Sequence, residues 1–167
     1  MSHRDDLALM AHLMRRAGFG ANRAELERCV AQGYEATVEE LLNPPADREG
    51  GKMALLLRYH PSFLLPGGVP FSGQANWMYN MVSSDRPLEE KMSLFWHHVF
   101  ATGNSKVDNC DQLLEQIDVL RANGMGNYRD MLIQLSKNPA MIFWLDNNEH
   151  HQTHPTCLLY TSPSPRD

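Results

Sequence analysis

Histidines, and the carboxylates that stand near two groups of them, hold most of the chemistry available to this 167-residue chain. The densest group is the stretch Asp146-Asn-Asn-Glu149-His150-His151-Gln-Thr-His154, where imidazole and carboxylate ligands of the kind that suit zinc or another divalent cation fall within nine residues. His150 and His154 have the i,i+4 spacing that shares a helix face, but Pro155 pushes the backbone of His154 away from helical angles. A solvated polar loop therefore competes with a metal site built on Asp146, Glu149 and His150. The second group is Trp96-His97-His98. On a helix, His97 falls on the same side as Glu90, two turns earlier, so the two are a candidate catalytic pair and His97 is also a candidate metal ligand. His98 is turned from His97 by about 100°, so the adjacent pair does not chelate one ion. The commoner role for such a histidine is to hydrogen-bond between two helices and hold them together.

Arg15 and Arg16 are the candidate anion-binding residues, for a phosphate or an acidic saccharide. They also stand in the last turn before Gly18, where basic side chains complement the helix dipole and bond loose carbonyls. Cys29 and Cys110 sit among apolar residues at helical spacing and read as small core residues, not nucleophiles. The methionines, Met10, Met14, Met78, Met81, Met92, Met131 and Met141 among them, read as core filler. The chain has no phosphate-binding glycine loop, no Gly-x-Ser-x-Gly and no His-Glu-x-x-His.

The elements that must position these residues are helices. Asp5–Arg16 is periodic and stops at a glycine. Asn22 caps a second helix through Gln32, ended by Gly33, and Tyr34–Leu42 forms a third before Asn-Pro-Pro. A short helix is expected over Lys52–Tyr59, then a long proline-bearing connection packed over the core as far as Gly73. Gln74–Ser84 reads as helix. Pro87 and the two glutamates after it suit a first turn. The apolar stripe that follows, Leu88, Met92, Phe95 and Val99, predicts a buried face, with Trp96 and Phe100 at its edge and Glu90 and Lys91 more exposed. Gly103 is expected to close that helix. Another runs from about Asp108 to Asn123 on Cys110, Leu113, Ile117 and Leu120. Asn127, with Asp130 at capping-box spacing, starts the next, and Asn138-Pro139 starts a short apolar one. No alternating strand pattern occurs. The predicted class is all-α, an irregular bundle of about seven or eight helices.

Composition narrows the function classes. Hydrophobic residues make up 43% and charged residues 21%, with a net charge of −5, which supports neither a nucleic-acid surface nor an anionic-membrane one. The three cysteines form no Cys-x-x-Cys pair, so neither a disulfide framework nor a zinc knuckle is expected. No apolar run reaches a membrane span. The N-terminus lacks the apolar core and cleavage site of a signal peptide, so a cytoplasmic location is expected.

The stretches His12-Leu-Met-Arg-Arg-Ala-Gly-Phe-Gly-Ala21, Glu89 to Val107 and Asn123 to Asn147, in that order, resemble the bacterial family known as domain of unknown function 1800. The resemblance spans roughly residues 7–150. Trp96, His97 and Phe100 match the family's Trp-His-x-His-Phe pattern, while Val99 stands where the second histidine is often found. Members are longer and many look exported, and no activity is established for the family. The resemblance implies that residues 1–156 are the N-terminal part of one helical domain, cut at its C-terminal side. Residues 157–167, Cys-Leu-Leu-Tyr-Thr-Ser-Pro-Ser-Pro-Arg-Asp, resemble a translated sequencing adapter, since one frame of adapter codons reads through all eleven. A non-native, structureless tail is expected there, in which Cys157 carries no biology. An exposed apolar patch beside Phe143 and Trp144 is expected where the covering residues would have lain.

Two functional classes follow. One is a helical scaffold or binding module, for a partner protein or a saccharide. The other is a metal-assisted hydrolase or related enzyme, using a divalent cation, whose site is completed outside this stretch.

Overall fold

The computed structural model describes residues 3–44, 58–59, 61 and 70–149. Eight α-helices are found among them: α1 His3–Ala17, α2 Arg23–Gln32, α3 Tyr34–Leu42, α4 Pro70–Ser83, α5 Pro87–Val99, α6 Cys110–Asn123, α7 Tyr128–Lys137 and α8 Pro139–Trp144. A 3-10 turn over Asn147–Glu149 follows. No strand occurs among the described residues, so the all-α class holds. None of the described helices is long and apolar enough to cross a membrane.

Asparagine side chains start four of the helices, each accepting from an amide that has no partner within its helix. Asn22 Oδ1 takes the Glu25 amide at 2.9 Å. Asn109 takes those of Asp111 and Gln112 at 3.0 and 3.2 Å. Asn127 takes Arg129 and Asp130 at 2.9 and 3.4 Å, and Asn138 takes Met141 at 3.3 Å. Prolines occupy the first turns of α5 and α8. Gly33 separates α2 from α3 at φ 97°, a conformation that costs a side chain heavily. The Gly20 amide returns to the Met14 carbonyl at 3.2 Å to close α1.

Two small cores result. Met10, Met14, Cys29 and Leu41 join α1, α2 and α3. Leu120, Met131, Leu135 and Met141 join α6, α7 and α8. Helix α5 connects them: Leu88 packs on the first core, and Trp96 and Phe100 pack on the second. Cys29 and Cys110 are buried, as small core residues should be.

Three expectations require correction. Helix α4 begins at Pro70, not Gln74, because a proline fits the first helical position as well as it fits a connection. Helix α5 stops at Val99, short of Gly103, where the Phe100 amide closes on the Trp96 carbonyl. The third correction matters most. Phe95 and Val99 are 51% and 50% exposed, while Glu90 and Ser93 are 3% and 0% exposed. The buried side of α5 is the polar one. Its partners explain this: Arg121 on α6 holds Glu90, and the small Ser93 lets α6 approach and donates to the Ile117 carbonyl at 3.3 Å. Met78 is likewise exposed and fills no core. Phe143 and Leu145 are exposed and Trp144 is half-buried. Apart from Arg58 and Tyr59, the helix expected over Lys52–Tyr59 lies outside the described residues, as do the proline-bearing connection, save Pro61 and the residues from Pro70 onward, and the tail.

Candidate functional site

The buried side of α5 carries Glu90, Ser93 and His97 at i, i+3 and i+7, one line along the helix. Its two ends differ in how their polar groups are met. At the N-terminal end the Arg121 guanidinium grips Glu90 with two bonds, Nε to Oε1 at 2.5 Å and an Nη to Oε2 at 3.2 Å, and also bonds Asp118. Burial works against the Arg121 charge, but the Glu90 hydrogen bonds and the attraction of both carboxylates outweigh it and raise its pKa. Such bidentate pairing gives each carboxylate oxygen a charged donor.

At the C-terminal end, His97 packs edge-on against the Trp77 indole of α4, with ring centroids 5.0 Å apart and an interplanar angle of 87°. His97 Nδ1 and Trp77 Nε1 are buried and have no hydrogen-bond partner among the described residues. Burial, and to a lesser degree the charge of His98, lowers the His97 pKa, so the imidazole is neutral at physiological pH.

Both rings line a cavity of about 240 Å³, open on one side. Helix α6 supplies its apolar wall through Leu113, Leu114 and Ile117. The segment after α5 supplies Thr102, Gly103 and Asn104. Thr102 donates a short hydrogen bond to Gln116 Oε1, while Gln116 Nε2 is buried without a partner among the described residues. That segment is tied down from outside: Lys106 Nζ donates to the Trp144 carbonyl at 2.7 Å and pairs with Asp146 at 2.7 Å. Cys110 closes the floor against Gly73. A Cβ at Gly73 would lie 2.1 Å from Cys110 Sγ, so α4 reaches α6 here only through glycine. Burial pushes the Cys110 thiol up in pKa, against the opposing bond from the Gly73 amide, so the thiol is protonated.

Of the residues singled out from sequence, His97 lies at the cavity. Glu90 shares its side of α5 and is ion-paired with Arg121. Asp146 is paired with Lys106, Glu149 ends the 3-10 turn and His150 lies outside the described residues. No three His, Cys, Asp or Glu side chains gather as a metal site among the described residues. Arg15 and Arg16 are exposed in the last turn of α1 and do not line the cavity. Trp77, Thr102, Gln116, Lys106 and Arg121 escape sequence reasoning. Each acts through a residue on another element, and only Trp77, an indole in a helix of mixed polarity, carries a local hint.

Fold and site together define an all-α protein with a cavity, lined among the described residues by uncharged side chains, where α4, α5 and α6 meet. Residues 12–156 match the family described as Protein of unknown function (DUF1800), and the chain belongs to that family. No curated protein and no solved structure matches it. Several of the motif positions quoted above have a holding role here. Trp96 Nε1 donates to the Gly124 carbonyl at 2.7 Å, Phe100 stacks on Trp96 at 5.9 Å, and the Trp144-Leu-Asp146 turn receives Lys106. His97, with Thr102, Gly103 and Asn104 from the same motif, instead faces the cavity.

Proposed function

We propose that this chain is a helical binding module and that the cavity beside His97 is where it holds a small molecule. The observation that carries this reading is a concave, mainly apolar site with a few buried polar groups that are unmet by the described residues, the usual anatomy of a ligand pocket. A catalyst built on His97 needs a group to steady its proton or share a metal with it. The carboxylate on its own side of α5 is committed to Arg121, and Asp146 is committed to Lys106. A metal-assisted hydrolase using His97 is the competing reading, and it needs ligands from beyond these residues.

The test is saturation-transfer NMR with a panel of one- and two-ring fragments that includes neutral, anionic and cationic members. Binding by some member, lost on Asn104→Trp at the cavity rim, is the expected result. Absence of any binding, or binding indifferent to Asn104→Trp, sinks the proposal. So does zinc-stimulated, chelator-sensitive hydrolysis of 4-nitrophenyl acetate that disappears in His97→Gln.

A further inference from the structure

Resting on that reading of the cavity, we infer that its ligand is a neutral one- or two-ring molecule presenting a single hydrogen-bond acceptor to the Trp77 indole N–H. Size is the first argument. The cavity, about 240 Å³, exceeds the roughly 150 Å³ that holds benzene and falls short of the roughly 300 Å³ at which drug-sized pockets begin. Charge is the second. Charged residues are 21% of the chain, yet among the described residues no Asp, Glu, Lys or Arg lines the cavity. An ion entering it would lose water and gain no counter-charge. Burial keeps His97 neutral and Cys110 protonated, so neither offsets a ligand charge.

Polarity is the third. Trp77 Nε1 can only donate, and it is buried without an acceptor among the described residues. The indole that carries it lines the cavity and packs against the His97 ring, with the N–H itself out of reach of water. A ligand bond to the N–H therefore requires the indole to turn. A ligand carbonyl or ether there replaces a bond the folded protein leaves unmade, whereas a purely apolar ligand leaves the donor buried and unmet. Leu113, Leu114 and Ile117 take the ligand's apolar body.

Four probes of one shape separate these arguments: acetophenone, isopropylbenzene, benzoate and benzylammonium, each titrated into the full chain. Binding is read from the three tryptophan indole N–H resonances, with Trp77 assigned through Trp77→Phe. Acetophenone is expected to bind and shift the Trp77 resonance. Isopropylbenzene should bind about tenfold more weakly, the worth of one net hydrogen bond. The two ions should not bind at the same concentrations. In Trp77→Phe, acetophenone should weaken to the affinity of isopropylbenzene, which itself stays unchanged. An ion binding as tightly as acetophenone, or equal affinity of the two neutral probes for the wild-type chain, overturns this inference and leaves the binding-site reading intact. Failure of all four probes, together with a silent fragment panel, overturns both.

Discussion

The two ends of α5 treat buried polar groups in opposite ways. At Glu90 a buried charge meets a guanidinium through two bonds from a helix thirty-one positions further along the chain. At His97 a half-buried imidazole packs at right angles to an indole, and its Nδ1 is buried with no partner among the described residues. Both lie on one face of one helix. The first arrangement is closed: both carboxylate oxygens of Glu90 accept from Arg121, and the effect is to tie α5 to α6. The second is open: it sits on a cavity and leaves bonding capacity over. A polar group that is buried and met holds a fold together, while one that is buried and unmet costs stability that a ligand can return. The difference locates the candidate site at the histidine end.

The comparison is broken most forcefully at the closed end. Arg121→Ala leaves Glu90 buried and unpaired, and the expected loss is about 3 kcal/mol in urea unfolding. The double change Glu90→Leu with Arg121→Met should recover most of that loss, because the cost lies in the orphaned charge more than in a missing attraction. A double variant as unstable as Arg121→Ala would show that the pair acts differently.

Trp96→Phe comes next. It keeps a ring on the α6–α8 core but deprives the Gly124 carbonyl of its 2.7 Å donor, so a loss of about 1–2 kcal/mol is expected. The adjacent change at the open end, His97→Leu, should cost under about 1 kcal/mol at neutral pH, since it removes an unmet polar group from an apolar site. A larger loss there would mean that His97 is as closed as Glu90, and the distinction between the two ends would disappear.

The pH profile sharpens the same point. The folded-state pKa of His97 lies below the ordinary 6.5, so as pH falls through that value the unfolded chain takes up a proton before the folded one does. Stability should be level with respect to this group above pH 6.5 and decline below it. In His97→Gln the decline should be shallower. Thermal melts of the two proteins between pH 5 and 8 measure it, and parallel profiles would contradict the assignment. The smallest effect is expected from Lys106→Ala. Its ion pair with Asp146 is largely solvent-exposed, and the loss should stay below about 1 kcal/mol.

Much of the helical framework was legible because its signals are local. Asn22, Asn127 and Asn138 act on amides two or three residues away, and Pro87 and Pro139 act through their own backbone geometry. Helix α3 runs over Tyr34–Leu42 as the residues suggested, since Gly33 and Asn43 mark its ends. The common side of Glu90 and His97 was legible too, from helical spacing alone. The orientation of that side was not. A count of apolar residues favoured Leu88, Met92, Phe95 and Val99, and Phe95 and Val99 face outward.

What the sequence determined by itself, then, is the helices, their caps, the family resemblance and the placing of His97 and Glu90 on one line. Tertiary structure alone decided which way that line points and what each residue on it meets. Ser93 is met by a carbonyl twenty-four positions away, Glu90 by a guanidinium thirty-one positions away, and His97 by an indole twenty positions before it on a separate helix. Hydrophobic spacing reports the burial a helix would gain against a featureless apolar partner. The partner of α5 carries Arg121 and the Ile117 carbonyl, which bond Glu90 and Ser93, and specific bonds to a polar face outweigh the transfer of a half-apolar one.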